Sequence, residues 1–312
     1  MNPLTIIDAH SHLWLKQDTS WNGKPIRSLR NGRSIFLGEE VQMIPPFIID
    51  GRNTAEVFLS NMDYAQVSAA VVVQEFIDGL QNDYLAEVSR QYPDRFFVFG
   101  MADYLNPDFC KQAEELLRQG FKGLAIPGHR LMGQPLTSEA MMQMFRLIER
   151  EGAFLSITLE DGDRQTEELS EVIAECPQLK IAIGHLGMAN PPQTPCWENE
   201  SWRRQIRLAR HENVMIETGG ITWLYNSEFY PFPSAVRAIR EAADLVGFDK
   251  LMWGSDYPRT ITAITYRMSY DFLLKTQELT NDEKRLLLGD NARRFYGFKD
   301  LIELPYIKNM SE

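Results

Sequence analysis

At 312 residues the chain has room for one large barrel or two modest domains, and its 44% apolar and 24% charged content is an ordinary globular balance. No apolar run approaches the roughly 18 residues that span a bilayer, and a net charge of −11 leaves no cation excess for a nucleic-acid backbone. Cys110, Cys176 and Cys196 are odd in number and far apart, which speaks against a disulfide framework or a cysteine zinc site and fits a reducing, cytoplasmic setting.

The N-terminus leads from Leu4, Ile6 and Ile7 straight into a polar motif, which reads as a core strand and not as a secretory leader. In chain order, short apolar and β-branched runs predict strands over 4–8, 69–73, 96–100, 123–126, 154–159, 180–183, 214–217 and 251–253. These runs are nearly continuous in apolar character, as parallel strands buried on both faces are. Amphipathic segments lie between them. One, over 108–118, follows Asn106-Pro107, read as an N-cap with proline at the first helical position. The last opens at Thr280 with Glu283 three residues on, a capping box. Eight strand–helix units predict an α/β fold, a (β/α)8 barrel forming one domain over 1–312. A doubly wound sheet is the alternative, but no glycine-rich turn follows the first strand.

One segment, 13–52, breaks the pattern. Its periodicity is weak, and it carries Trp14, Trp21, Phe36 and Phe47. A long insertion after the first strand of a compact fold is usually functional, so it reads as a lid over an active site. A surface excursion or an oligomer contact is the other reading.

The chain has five histidines, and their placement carries the chemistry. His10 and His12 end the first strand, and residues two apart on a strand share a face. His185 follows the sixth strand in Gly184-His185-Leu186-Gly187, and Asp256 follows the eighth in Gly254-Ser255-Asp256-Tyr257-Pro258. Three strand ends thus deliver imidazole or carboxylate to the C-terminal mouth of a barrel, where such enzymes keep their active sites. A lone histidine is most often structural; this constellation is not.

These motifs, with Leu288-Gly289-Asp290-Asn291-Ala292-Arg293-Arg294-Phe295 near the C-terminus, resemble the amidohydrolase superfamily. The similarity lies closest to the TIM-barrel metal-dependent hydrolase branch that holds sugar lactonases, pyrone-dicarboxylate lactonase and aminocarboxymuconate semialdehyde decarboxylase. The resemblance implies His10, His12 and Asp256 as ligands of one divalent ion, zinc or manganese, with His185 or Glu160 as a further ligand. It also implies a histidine after the fifth strand, where this chain has Thr158, and in some relatives a metal-bridging lysine on the fourth, where it has Ala125. A binuclear centre is therefore not expected, and both a mononuclear and a metal-free site stay open.

Asp256 is the general base in either case, with His185 beside it as a catalytic residue. In the metal-free scheme His10, His12 and His185 donate to the developing oxyanion. His129, Arg130 and Arg259 lie in loops at the mouth, where arginine clamps carboxylates, and Trp223 and Tyr225 are candidate pocket walls. The expected activity is hydrolysis of a small polar molecule, a lactone or related cyclic ester or amide. The alternative is metal-dependent non-oxidative decarboxylation of an unsaturated or aromatic acid. The expected partner is this small molecule, with no nucleic acid and no membrane; a homo-oligomer is compatible with the sequence.

Overall fold

A computed structural model describes residues 4–188, 195–306, 308 and 310. Twelve strands are present among them: β1 Ile7–Ser11, β2 Asp18–Trp21, β3 Lys24–Ser28, β4 Arg33–Phe36, β5 Glu39–Gln42, β6 Ala69–Val72, β7 Phe96–Val98, β8 Gly123–Pro127, β9 Phe154–Thr158, β10 Lys180–Ile183, β11 Val214–Glu217 and β12 Leu251–Met252. Eight of them form two parallel sheets, ordered β1-β6-β7 and β12-β11-β10-β9-β8, with helices between successive strands. Backbone bonds bridge both pairs of sheet edges. Gly100 N–H donates to Gly123 O (2.9 Å) and Ala125 N–H to Gly100 O (2.8 Å); on the other side Ala9 N–H donates to Trp253 O (2.8 Å).

The alternation of side chains along each strand divides the core in two. Ile7, Ala9, Ala69, Val71, Phe97, Phe99, Phe154, Ala182, Met215 and Met252 cluster together, and the intervening residues pack with the helices. By simple alternation His10 and His12 would join the helix-facing set of Ile6. They do not, because the register shifts between Asp8 and Ser11: three steps of β1 run against two of β6, from Ala70 to Val72. This β-bulge reverses the parity and turns both imidazoles inward.

The first strand lies later than the predicted 4–8, because its ladder continues through the motif, with Asp256 N–H donating to His10 O (2.9 Å). The helix expected from 108 begins at Phe109; the Asn106 side chain instead accepts from Asp108 N–H in the preceding turn (2.9 Å). The capping box at Thr280 and Glu283 is present. The insertion is the larger difference. Where weak periodicity suggested a loop, β2 to β5 form an antiparallel sheet. Asn22-Gly23 and Leu37-Gly38, both with positive φ at each residue, make its tight hairpins. Its root is fastened by the Trp14–Asn53 backbone pair, and Asn53 Nδ2 donates to His12 O (2.6 Å). No helix among the described residues is long and apolar enough to cross a membrane.

Asp8 joins the start of this arrangement to its end. Its buried carboxylate accepts from Ser255 N–H (2.8 Å), Ser255 Oγ (2.5 Å), Tyr266 Oη (2.7 Å) and His10 N–H (3.1 Å). Burial pushes this carboxyl up to about 6 against the pull of those donors. Asp8→Ala would leave several buried donors unsatisfied, at about 1–3 kcal/mol each. Urea unfolding of the variant is expected to show a loss of about 3 kcal/mol or more; wild-type stability would mean the donors find other partners.

Candidate active site

Four side chains meet at the C-terminal ends of β1, β10 and β12. His10 Nε2 lies 3.1 Å from His12 Nε2 and 3.6 Å from Asp256 Oδ1, and His12 Nε2 lies 3.1 Å from the same oxygen. The His10 and His185 rings are 4.6 Å apart, centroid to centroid. Each imidazole has its other nitrogen opposite an acceptor. Glu217 Oε1 is 2.8 Å from His10 Nδ1, Asp78 Oδ2 is 2.9 Å from His12 Nδ1, and Gly219 O is 2.8 Å from His185 Nδ1. Hydrogen bonds to Asp78 and to Gly219 O put a ring proton on Nδ1 of His12 and His185, and the close approach of Glu217 holds His10; all three turn Nε2 toward the centre, the arrangement by which outer partners orient metal-binding histidines.

Two Nε2 lone pairs cannot face one another at 3.1 Å without a cation between them. Here a proton serves. Burial opposes charge on His12, but Asp78 and Asp256 outweigh it and hold its pKa well above the ordinary value. Burial, with the neighbouring His10, instead lowers His185. For Asp256 burial favours the neutral acid, yet the hydrogen bond from His12 and the surrounding imidazoles hold it below the usual carboxylate range. Trp223 Nε1–H donates to its second oxygen at 2.5 Å. Glu217 is likewise held low by His10 and His185 despite complete burial.

The same donor set fits a divalent ion. Ligand atoms of His10, His185 and Asp256 lie within 4.8 Å of one another, with His12 against two of them. Three protein ligands with an open position suffice for a catalytic zinc. Thr158 lines the small recess beside His10, His12 and His185.

Above the centre is a cavity of about 530 Å³. His129, Arg130, Arg259 and Trp223, all anticipated from sequence, line it. Burial and the adjacent Arg130 lower His129 to about 3, so it is neutral. Arg259 stacks on the Trp223 ring, its guanidinium carbon 3.7 Å from the centroid. Two anticipated residues are not brought here. Glu160 pairs with Arg164 (2.7 Å), and Tyr225 is buried against Cys196 Sγ (3.3 Å). Glu217 and Asp78 were not anticipated, and both hold a site histidine.

Comparison with known proteins follows the same lines. Residues 7–298 match the amidohydrolase family profile. An L-fucono-1,5-lactonase of Burkholderia ambifaria is 24% identical over 310 residues, covering 93% of this chain and 94% of its own. Among solved structures, a probable 2-pyrone-4,6-dicarboxylic acid hydrolase of Acinetobacter baumannii with citric acid bound has a TM-score of 0.69 at 19% identity, covering 94% of this chain and 100% of its own. An amidohydrolase of Burkholderia multivorans with bound zinc gives 0.68 at 18% identity, covering 94% and 99%. The 5-carboxyvanillate decarboxylase of Novosphingobium aromaticivorans, complexed with manganese and a nitrobenzoic acid, gives 0.58 at 19% identity, covering 78% and 80%. At such identities the structural likenesses speak for the fold alone.

Calorimetric titration of metal-stripped protein with zinc or manganese is expected to show uptake of one ion per chain. Glu217→Gln should weaken it by about 10–100-fold, because His10 loses the carboxylate that orients it. Absence of uptake by the unmodified chain would contradict the fit.

Proposed function

The chain belongs to the amidohydrolase family and is an enzyme of it, and from that premise we propose that it hydrolyses a lactone, with Asp256 as the base that activates water. The observation that carries this reading is the ionised Asp256 carboxylate set among three oriented imidazoles beneath a cavity large enough for a small ring. The lactonase relative supports it.

In this mechanism water attacks the acyl carbon while Asp256 takes its proton. The ring C–O bond then breaks, and the proton passes to the departing alkoxide, leaving a hydroxy acid. His12 is charged, and once Asp256 takes the proton from water, the His12 Nε2–H that was bonded to Asp256 becomes the donor open to the oxyanion. His10 and His185 present lone pairs, so they do not share the oxyanion-donating role expected of all three. Those lone pairs suit a cation. A divalent ion held by His10, His185 and Asp256, with His12 alongside, would polarise the carbonyl and lower the pKa of water.

We read the eight parallel strands as one closed barrel, on the strength of the bridges at both seams. The sheet over 18–42 is read as the cover of the cavity, because Phe36 and Val41 line it together with His12 and His185. Decarboxylation has less support, since Thr158 stands where the family's decarboxylases are expected to keep a metal ligand.

Asp256→Asn is nearly isosteric and should fold, but kcat on a lactone should fall by about 10²–10⁴-fold. For the unmodified enzyme, Asp256 should put no acid limb on the pH–rate profile above about pH 4, the ordinary carboxylate value. Near-wild-type turnover by Asp256→Asn, with chemistry rate-limiting, would contradict the mechanism.

A further inference from the structure

The cavity contains two arginines, and they are not equivalent. Arg130 Nε donates to Glu75 Oε2 at 2.7 Å, and the two side chains are only 16% and 13% exposed. The pair is held from the insertion side: the Trp21 ring lies 5.3 Å from the Arg130 guanidinium, and Trp21 Nε1–H donates to Arg130 O (3.2 Å). Glu75 Oε1 is tied to Phe76 N–H at 3.1 Å, so the carboxylate is fixed at both oxygens. The terminal nitrogens of Arg130 have no protein partner among the described residues. Glu75 also lines the inner recess with His10, His12, Thr158 and His185, which brings the pair to the reacting centre.

Arg259 is different. It is exposed, stacked on Trp223, and has no carboxylate partner among the described residues. Elsewhere around the cavity cation meets anion: Arg130 lies against Glu75, and His12 lies between Asp78 and Asp256. Among the described residues of the cavity, only Arg259, at the rim, is a cation without its own contacting anion.

We propose that the Glu75–Arg130 pair is a specificity clamp that reads neighbouring hydroxyls on a neutral, polyhydroxylated lactone and turns away lactones bearing carboxylates at that position. The inference rests on the lactonase reading. A hydroxyl both donates and accepts. Two adjacent hydroxyls can therefore satisfy the free guanidinium N–H groups and the remaining carboxylate lone pairs together. A substrate carboxylate can only accept, and would bring a second negative charge beside Glu75 in a poorly solvated corner.

The test compares ring-opening by the purified enzyme on three six-membered lactones: a neutral aldonolactone, the same ring carrying a carboxylate in place of its terminal carbon, and an unsubstituted ring without hydroxyls. The aldonolactone is expected to have the highest kcat/KM, by about tenfold or more over each of the others, the scale of one charge-assisted hydrogen bond. Glu75→Gln removes the opposing charge and frees Arg130. It should lower kcat/KM for the aldonolactone and raise it for the carboxylated ring, shifting their ratio by about tenfold or more. Equal or better use of the carboxylated ring by the wild type would overturn the clamp and leave lactone hydrolysis standing. So would an unchanged ratio in a folded Glu75→Gln variant, its fold checked by near-ultraviolet circular dichroism. If that variant does not fold, the wild-type comparison decides alone. Failure to open any of the three rings would count against the lactonase reading itself.

Discussion

Three imidazoles at the strand ends keep their Nδ1 atoms opposite fixed acceptors, and the remaining features of the site depend on this. With Glu217, Asp78 and Gly219 O in place, the Nε2 atoms of His10, His12 and His185 have little choice but to face inward. A cluster of lone pairs beside a carboxylate is unfavourable unless something positive occupies it. In the protein alone His12 carries that charge, and the same demand makes the set fit for a divalent ion. The ionised state of Asp256 follows from its position beside those nitrogens, because burial by itself would drive it toward the neutral acid.

The backbone is bent to meet this constraint. His185 (φ 54°) and Asp256 (φ 57°) both sit in the left-handed region, at a cost of about 1–3 kcal/mol each. The surroundings hold them there: Asp256 N–H is bonded to His10 O, and Trp202 Nε1–H to Leu186 O in the turn after His185. Space comes from glycines on the inward face. A Cβ at position 254 would stand 2.7 Å from His10 Cβ, and one at 184 would stand 2.9 Å from Glu217 Oε1. The bulge in β1 supplies the last requirement by aiming His10 and His12 at this space.

Much of this was legible in the sequence. The alternating apolar runs marked eight parallel strands, and the position of His10, His12, His185 and Asp256 at or just past strand ends marked four side chains that the structure brings together. What the sequence hid was parity and partnership. A β-bulge leaves no composition signal, so the inward turn of His10 was right in outcome for an incomplete reason. Glu217 was readable in principle, as a carboxylate two residues past Met215 on the inward face of β11. Asp78 was harder, because it lies beyond a strand end in a short 3-10 turn. The insertion sheet was signalled by Asn22-Gly23 and Asn31-Gly32, hairpin dipeptides whose meaning was masked by weak strand periodicity. Glu160 and Tyr225 were misplaced because nearness in sequence to a strand end does not fix where a side chain turns.

The account centres on water attacking an acyl carbon at the Asp256 centre, and the position of an oxygen label reports that step directly. A neutral aldonolactone would be opened by the enzyme in ¹⁸O-enriched water, and the product fragmented by mass spectrometry, with the uncatalysed reaction subtracted. The account predicts one ¹⁸O per enzymatic turnover, located in the new carboxylate. Label in the new hydroxyl would place the bond cleavage on the alkyl side and contradict it.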